Sequence, residues 1–141
     1  MLKHSLLFLS FLTLGSIAYA DEKEADDCLR SKIWSGYDDG WAVRTATTTS
    51  LAQDDHRVYL VTLYAGNEYK FEVCGDKAAQ TIDLVLHDAE GREIKRAGNP
   101  GQEPILEYKP ASTQTYYVAL YASEIKGGSD AAGVALAVTY R

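Results

Sequence analysis

From Thr81 to Gly91 the chain reads Thr-Ile-Asp-Leu-Val-Leu-His-Asp-Ala-Glu-Gly, with Ile82, Leu84 and Leu86 alternating with Asp83, Val85 and His87 before turn residues close the segment. A period of two is the spacing of a strand that buries one face, and it spreads the same residues around a helix. Downstream, Thr115 to Tyr121 reads Thr-Tyr-Tyr-Val-Ala-Leu-Tyr. That run is too continuously apolar and aromatic for a solvated edge strand. Two such segments predict the interior of a β-sandwich.

The period of two recurs from Val43 onward. Strands are expected over 43–49, 58–64, 69–74, 82–87, 93–97, 105–108, 115–121 and 133–140. The joins carry turn residues: Ala65-Gly66-Asn67, Gly75-Asp76, Ala89-Glu90-Gly91, Gly98-Asn99-Pro100-Gly101, Pro110-Ala111-Ser112 and Gly127-Gly128-Ser129. Short strands at this spacing predict an all-β fold, an antiparallel sandwich of the jelly-roll or Greek-key type with about eight strands. Before them, Ala25, Cys28, Leu29, Ile33, Trp34 and Tyr37 fall three and four apart, the mark of one amphipathic helix with acidic residues in its first turn. Gly36 and then Asp38-Asp39-Gly40 are expected to end it.

At the start, Lys3 precedes an almost wholly apolar run from Leu6 to Ile17, and Ala18-Tyr19-Ala20 supplies small residues for cleavage. This pattern predicts a signal peptide over 1–20 and a periplasmic or secreted protein. The division expected is 1–20 signal, 21–42 helical segment and 43–141 β-sandwich. The apolar run is short of the roughly 20 residues that span a bilayer, so no membrane association is expected after cleavage. Lys3 is the only Lys or Arg of the signal, so the 20 Asp and Glu leave the exported part with a net charge of about −7. Nucleic acid and anionic membrane would be repelled, and a cationic partner favoured. The acidic run Asp21 to Asp27 is expected to be a solvated leader.

Cys28 and Cys74 are the only cysteines, and an exported chain predicts their pairing. The bridge would close a loop of about 46 residues and contribute about 4 kcal/mol through lost chain entropy. The rival uses, a thiol nucleophile or a metal pair, lack a nearby histidine or a Cys-x-x-Cys spacing.

Three segments together carry a resemblance: Val-Tyr-Leu-Val-Thr-Leu-Tyr-Ala-Gly-Asn-Glu-Tyr-Lys-Phe-Glu-Val at 58–73, Asp-Leu-Val-Leu-His-Asp-Ala-Glu-Gly at 83–91, and Leu-Glu-Tyr-Lys-Pro-Ala-Ser-Thr-Gln-Thr-Tyr-Tyr-Val-Ala-Leu at 106–120. In order and spacing they resemble the bacterial pre-peptidase C-terminal domain, over about Val43 to Tyr140. The resemblance implies a non-catalytic jelly-roll sandwich of the kind usually appended to secreted peptidases. No peptidase precedes the segment here, so the expectation is a free-standing binding module. Relatives of that fold that bind calcium imply Asp83, Asp88 and Glu90 as its ligands here, the positions nearest the family's Asp-Leu-x-Leu-x-Asp-x-x-Gly pattern; no other cofactor is expected. The competing use of Asp88 is as a turn residue, and of Asp83 as a partner for neighbouring backbone. Ser35-Gly36-Tyr37 and Ala65-Gly66-Asn67-Glu68-Tyr69 are also similar to segments of small periplasmic lysozyme inhibitors, which would make 35–37 an inhibitory loop.

For catalysis the exported part offers only His56 and His87, and no Gly-x-Ser-x-Gly, His-Glu-x-x-His or glycine-rich phosphate loop. His56 follows Asp54-Asp55 in a stretch that reads as a solvated loop, and His87 points outward at a strand end. No enzyme is expected. The binding residues expected are Tyr37, Tyr117 and Tyr121, for a protein or polysaccharide ligand. At period two Tyr117 and Tyr121 share a face and Tyr116 takes the other, with core and rim packing as the competing use.

Overall fold

A computed structural model describes residues 20–141. All but one residue of the expected signal peptide therefore lies outside the described residues. One helix, α1 (Glu22–Asp38), is followed by eight strands: β1 (Ala42–Ala52), β2 (His56–Leu63), β3 (Tyr69–Gly75), β4 (Ala79–His87), β5 (Glu93–Arg96), β6 (Ile105–Tyr108), β7 (Gln114–Ile125) and β8 (Ala131–Tyr140). They form two antiparallel four-stranded sheets, in the orders β1-β8-β3-β6 and β2-β7-β4-β5. Only β4 and β5 are joined as a hairpin within one sheet.

The expected inner strands are neighbours. β4 pairs with β7 so that Asp83 stands opposite Tyr121 and His87 opposite Tyr117. Ile82, Leu84 and Leu86 of β4 then stand beside Ala122, Leu120 and Val118 of β7, and with Tyr116 and with Phe71, Val73, Val134, Leu136 and Val138 of the opposite sheet they form the core. Several ends run beyond the pattern. β7 continues to Ile125 and β4 begins at Ala79, because Ala79, Ala122 and Ile125 add small or apolar side chains to the same core.

β8 is buried on both faces. Its inward residues Val134, Leu136 and Val138 are large, while its outward ones, Gly133, Ala135 and Ala137, are small. Small residues on that row let α1 approach the sheet closely. Ala25 and Leu29, one turn apart, pack there with Cys74, Ala135 and Ala137. At Gly133 an added Cβ would stand 2.5 Å from the Asp21 carbonyl oxygen. The acidic run is therefore not a free leader but the start of α1, with Asp21, Glu22 and Asp27 still exposed. Asp21 caps the helix by accepting from Glu24 N at 2.9 Å, and its own N–H donates to Asp76 Oδ2 at 2.8 Å. Ser50 Oγ donates to Glu22 at 2.7 Å.

The Cys28–Cys74 disulfide is formed and ties α1 to β3. Residues 35–37 are not a loop. They lie in the last turns of α1, where buried Gly36 packs on Trp41 and its carbonyl accepts from Asp39 N and Trp41 N. Trp41 is held between Lys70 Nζ, 4.6 Å from the ring centre, and the Arg141 guanidinium at 4.4 Å. Among the described residues no helix is long and apolar enough to cross a membrane.

Candidate functional site

The outer face of the β2-β7-β4-β5 sheet is uncovered by any helix, and its side chains follow from register. Residues that alternate with the core set point outward: His56, Val58, Leu60 and Thr62 on β2, Thr115, Tyr117, Ala119 and Tyr121 on β7, Asp83, Val85 and His87 on β4. They fall into rows across the strands. His56, Tyr121 and Asp83 form one; Val58, Ala119, Val85 and Arg96 the next; Leu60, Tyr117, His87 and Glu93 a third. Tyr117 and Tyr121 thus share a face, four residues apart on one strand. Between their rows Ala119 and Val85 are buried although they face outward. On the edge strand Leu60 is 67% and Val58 43% exposed.

Tyr121 is the best-furnished position on this face. The His56 ring stacks on it with centres 5.6 Å apart. His56 is therefore the first residue of β2 and not part of a solvated loop. The turn before it is strapped to β7 by Asp54 N donating to Ala122 O at 2.8 Å and Ala122 N donating to Asp55 O at 3.0 Å. Asp54 takes the left-handed conformation, φ 64°, which a short acidic side chain tolerates. The strap brings Asp54 beside Asp83, Arg96, Tyr121 and Ser123, which together line a shallow pocket of about 290 Å³. Ser123 Oγ donates to the Asp83 carboxylate. An aromatic ring is thus flanked by carboxylate, guanidinium and hydroxyl groups.

The other expected site residues lie elsewhere. Tyr37 is on the opposite side of the sandwich, at the end of α1, 64% exposed and edge-to-face with Trp34 at 6.3 Å. Asp88 sits in the β4–β5 turn. Its Oδ1 accepts from Glu90 N at 3.0 Å and Arg92 N at 2.9 Å, and its Oδ2 accepts from Arg92 Nε at 2.9 Å. The hydrogen bond from the Arg92 backbone, followed by its guanidinium, holds the Asp88 carboxyl below the usual carboxylate range. Glu90 reaches only the Arg92 guanidinium, at 3.5 Å. Asp83, Asp88 and Glu90 are therefore not gathered at one point. Among the described residues, the only three metal-type donors within 4.8 Å of one another are Cys28, Cys74 and Glu103, and the two sulfurs are already bonded to each other.

Two further clefts were not foreseen from the sequence. One, of about 400 Å³, is lined by Trp41, Tyr69, Tyr108 and Arg141 among others. There burial, with a hydrogen bond to Tyr116, raises the Tyr108 hydroxyl above its ordinary pKa. The other lies between α1 and β3 and contains the buried Glu72. Lys70, Glu72 and Cys74 alternate on β3 as a solvent face would, and the helix that covers them is announced by the disulfide at Cys74 and the small residues of β8.

No protein-family model matches the chain. A search of curated proteins finds no match either. Solved structures do match. The pre-peptidase C-terminal domain of collagenase from Bacillus anthracis superposes with a TM-score of 0.53 at 16% identity, covering 68% of this chain and 89% of that one. The resemblance is one of fold. PliG of Aeromonas hydrophila, a periplasmic lysozyme inhibitor of g-type lysozyme, superposes with a TM-score of 0.54 at 14% identity, covering 71% of this chain and 88% of that one. The two-sheet architecture is therefore that of the pre-peptidase C-terminal sandwich, and it is shared with the inhibitor.

Proposed function

We propose that this protein is a non-catalytic, exported binding module whose contact surface is the outer face of β2, β7 and β4, and that its ligand is a saccharide. The observation that carries the reading is the setting of Tyr121. Its ring, backed by His56, presents a flat apolar surface, while Asp54, Asp83, Arg96 and Ser123 stand around it as hydrogen-bonding groups. A sugar ring offers that pair of features, an apolar C–H face and a rim of hydroxyls. Tyr117 and exposed Leu60 extend the platform along the strands, giving room for more than one sugar unit. With the exported part near −7, a neutral or amino-bearing glycan suits the site better than a polyanion.

Affinity electrophoresis of the mature protein through gels containing neutral, amino-bearing and acidic polysaccharides tests this. Retardation by a neutral or amino-bearing glycan, abolished by Tyr121→Ala, is the expected result. Free migration in every gel would refute it.

A second reading has its own support. The fold matches that of a g-type lysozyme inhibitor, and the acidic exported part would steer association with a cationic lysozyme. In that case the contact is not an inserted loop at 35–37, which is helical, but the exposed Trp34–Tyr37 pair at the end of α1. Residual lysozyme activity in the presence of the mature protein, compared with its Tyr37→Ala variant, separates the two readings.

A further inference from the structure

The cleft between the last turns of α1 and the outer face of β3 has a volume of about 460 Å³. At its inner end is Glu72, only 6% exposed. Lys70 Nζ stands 3.5 Å from Glu72 Oε1, while Oε2 is buried and has no hydrogen-bond partner among the described residues. Buried carboxylate oxygens are nearly always satisfied, because an unmade bond forfeits the whole desolvation cost of the group. Lys70 balances the charge without filling the acceptor. At 3.5 Å it is beyond a good hydrogen bond, and its ammonium is shared with the face of Trp41.

The rest of the lining sets the sign of what would fit. Glu103 is paired with Lys32 at 3.3 Å, and Asp39 caps the C-terminal end of α1. Three carboxylates, Asp39, Glu72 and Glu103, therefore face two ammonium groups, Lys32 and Lys70. The C-terminal end of α1 adds partial negative charge; its last turn contains no basic residue of its own, and the Arg141 guanidinium, seated on the Trp41 ring, donates to the Asp39 carbonyl at 3.3 Å and offsets only part of it. An anion would find both lysines already engaged. A divalent metal would not find Asp39, Glu72 and Glu103 gathered, since they do not come within 4.8 Å of one another.

We propose that this cleft binds an alkylguanidinium or alkylammonium group, which donates N–H hydrogen bonds to the Glu72 carboxylate while its positive charge meets Asp39 and the end of α1. The last torsion of a glutamate is broad, so a small rotation presents the unpartnered oxygen to the cleft. Such a cation could be a small free molecule or a basic side chain displayed by a protein. The cleft lies on the opposite side of the sandwich from Tyr121, so this inference stands apart from the saccharide reading.

The experiment titrates the mature protein with ethylguanidinium and, separately, with Nα-acetyl-arginine N-methylamide, following the ¹³C signals of the glutamate carboxyl groups. A saturable shift of the Glu72 signal is expected, with at least tenfold weaker binding in Glu72→Gln and no change in Glu124→Gln, which removes the same charge from an exposed site on β7. Binding of ethylguanidinium points to a small free cation. Binding of the arginine derivative alone points to a protein side chain. The wild-type carbon signal makes the test independent of whether Glu72→Gln folds. An unmoved Glu72 signal with both probes, or equal binding by Glu72→Gln, would overturn the proposal; the buried oxygen would then be served by ordered water.

Discussion

Asp76 joins three parts of the fold through one buried carboxylate, and replacing it by asparagine should be among the most damaging conservative changes available. The side chain is 1% exposed. Its Oδ2 accepts from Asp21 N and Gly133 N, both at 2.8 Å, and its Oδ1 from Ala78 N at 3.0 Å and Ala79 N at 3.1 Å. The start of α1, the β3–β4 turn and the start of β8 are thereby held together. Asparagine keeps the shape but has one carbonyl oxygen, so two of the four N–H groups would face an NH₂ group. Each buried donor left unpaired costs about 1–3 kcal/mol, which puts the loss at about 4 kcal/mol. Against a total stability of roughly 5–15 kcal/mol this is a large fraction. For a domain of this size it corresponds to a fall in Tm of roughly 15 °C. Thermal unfolding followed by circular dichroism at neutral pH measures it, with Asp88→Asn as the comparison. Asp88 also accepts two backbone N–H bonds, but its side chain is 13% exposed and its turn neighbours Ala89 to Arg92 are exposed, so water can reach the groups left unpaired. If the Tm of Asp76→Asn falls no further than that of Asp88→Asn, the reasoning from burial is wrong.

Cys28→Ser/Cys74→Ser should lose about 4 kcal/mol, read from urea unfolding, since the bridge spans a sequence separation of 46 and fastens α1 to the sheet. Leu29→Ala removes a side chain 1% exposed between α1 and β8 and should cost about 2–4 kcal/mol in the same assay. Gly133→Ala should loosen the start of α1, because the new Cβ meets Asp21 backbone at 2.5 Å. Faster amide exchange at Ala25 and Cys28, with the core strands unchanged, is the expected signature. The Asp88 carboxyl is held below its ordinary pKa of 3.8, so the stabilisation it gives the β4–β5 turn is complete above that value and is lost as pH falls through the lowered one. Amide shifts of Glu90 and Arg92 followed below pH 4 should titrate at that lowered value.

The strands were legible because the property that makes them is written locally. Alternation such as Ile82-Asp83-Leu84-Val85-Leu86-His87 depends only on which face meets the core, and all eight segments form. The shared face of Tyr117 and Tyr121 followed from the same period. Their surroundings did not, because Asp54, Asp83, Arg96 and Ser123 come from different segments and meet only through register and through the strap at Ala122. His56 read as loop because two aspartates precede it, yet a left-handed Asp54 makes the turn short enough for β2 to start at once. Glu72 was concealed by its own pattern. Lys70-Phe71-Glu72-Val73 is what a half-solvated strand shows, and the covering helix belongs to a distant part of the chain.

The proposed contact face is tested most directly by amide chemical-shift mapping of the mature protein with a polysaccharide fragment that retards it in affinity gels. The expected result is a contiguous set of shifts at Val58, Leu60, Asp83, Tyr117 and Tyr121, with α1 unmoved and the shifts lost in Tyr121→Ala. Shifts confined to α1 around Trp34 and Tyr37, or none on β2, β7 and β4, would contradict it.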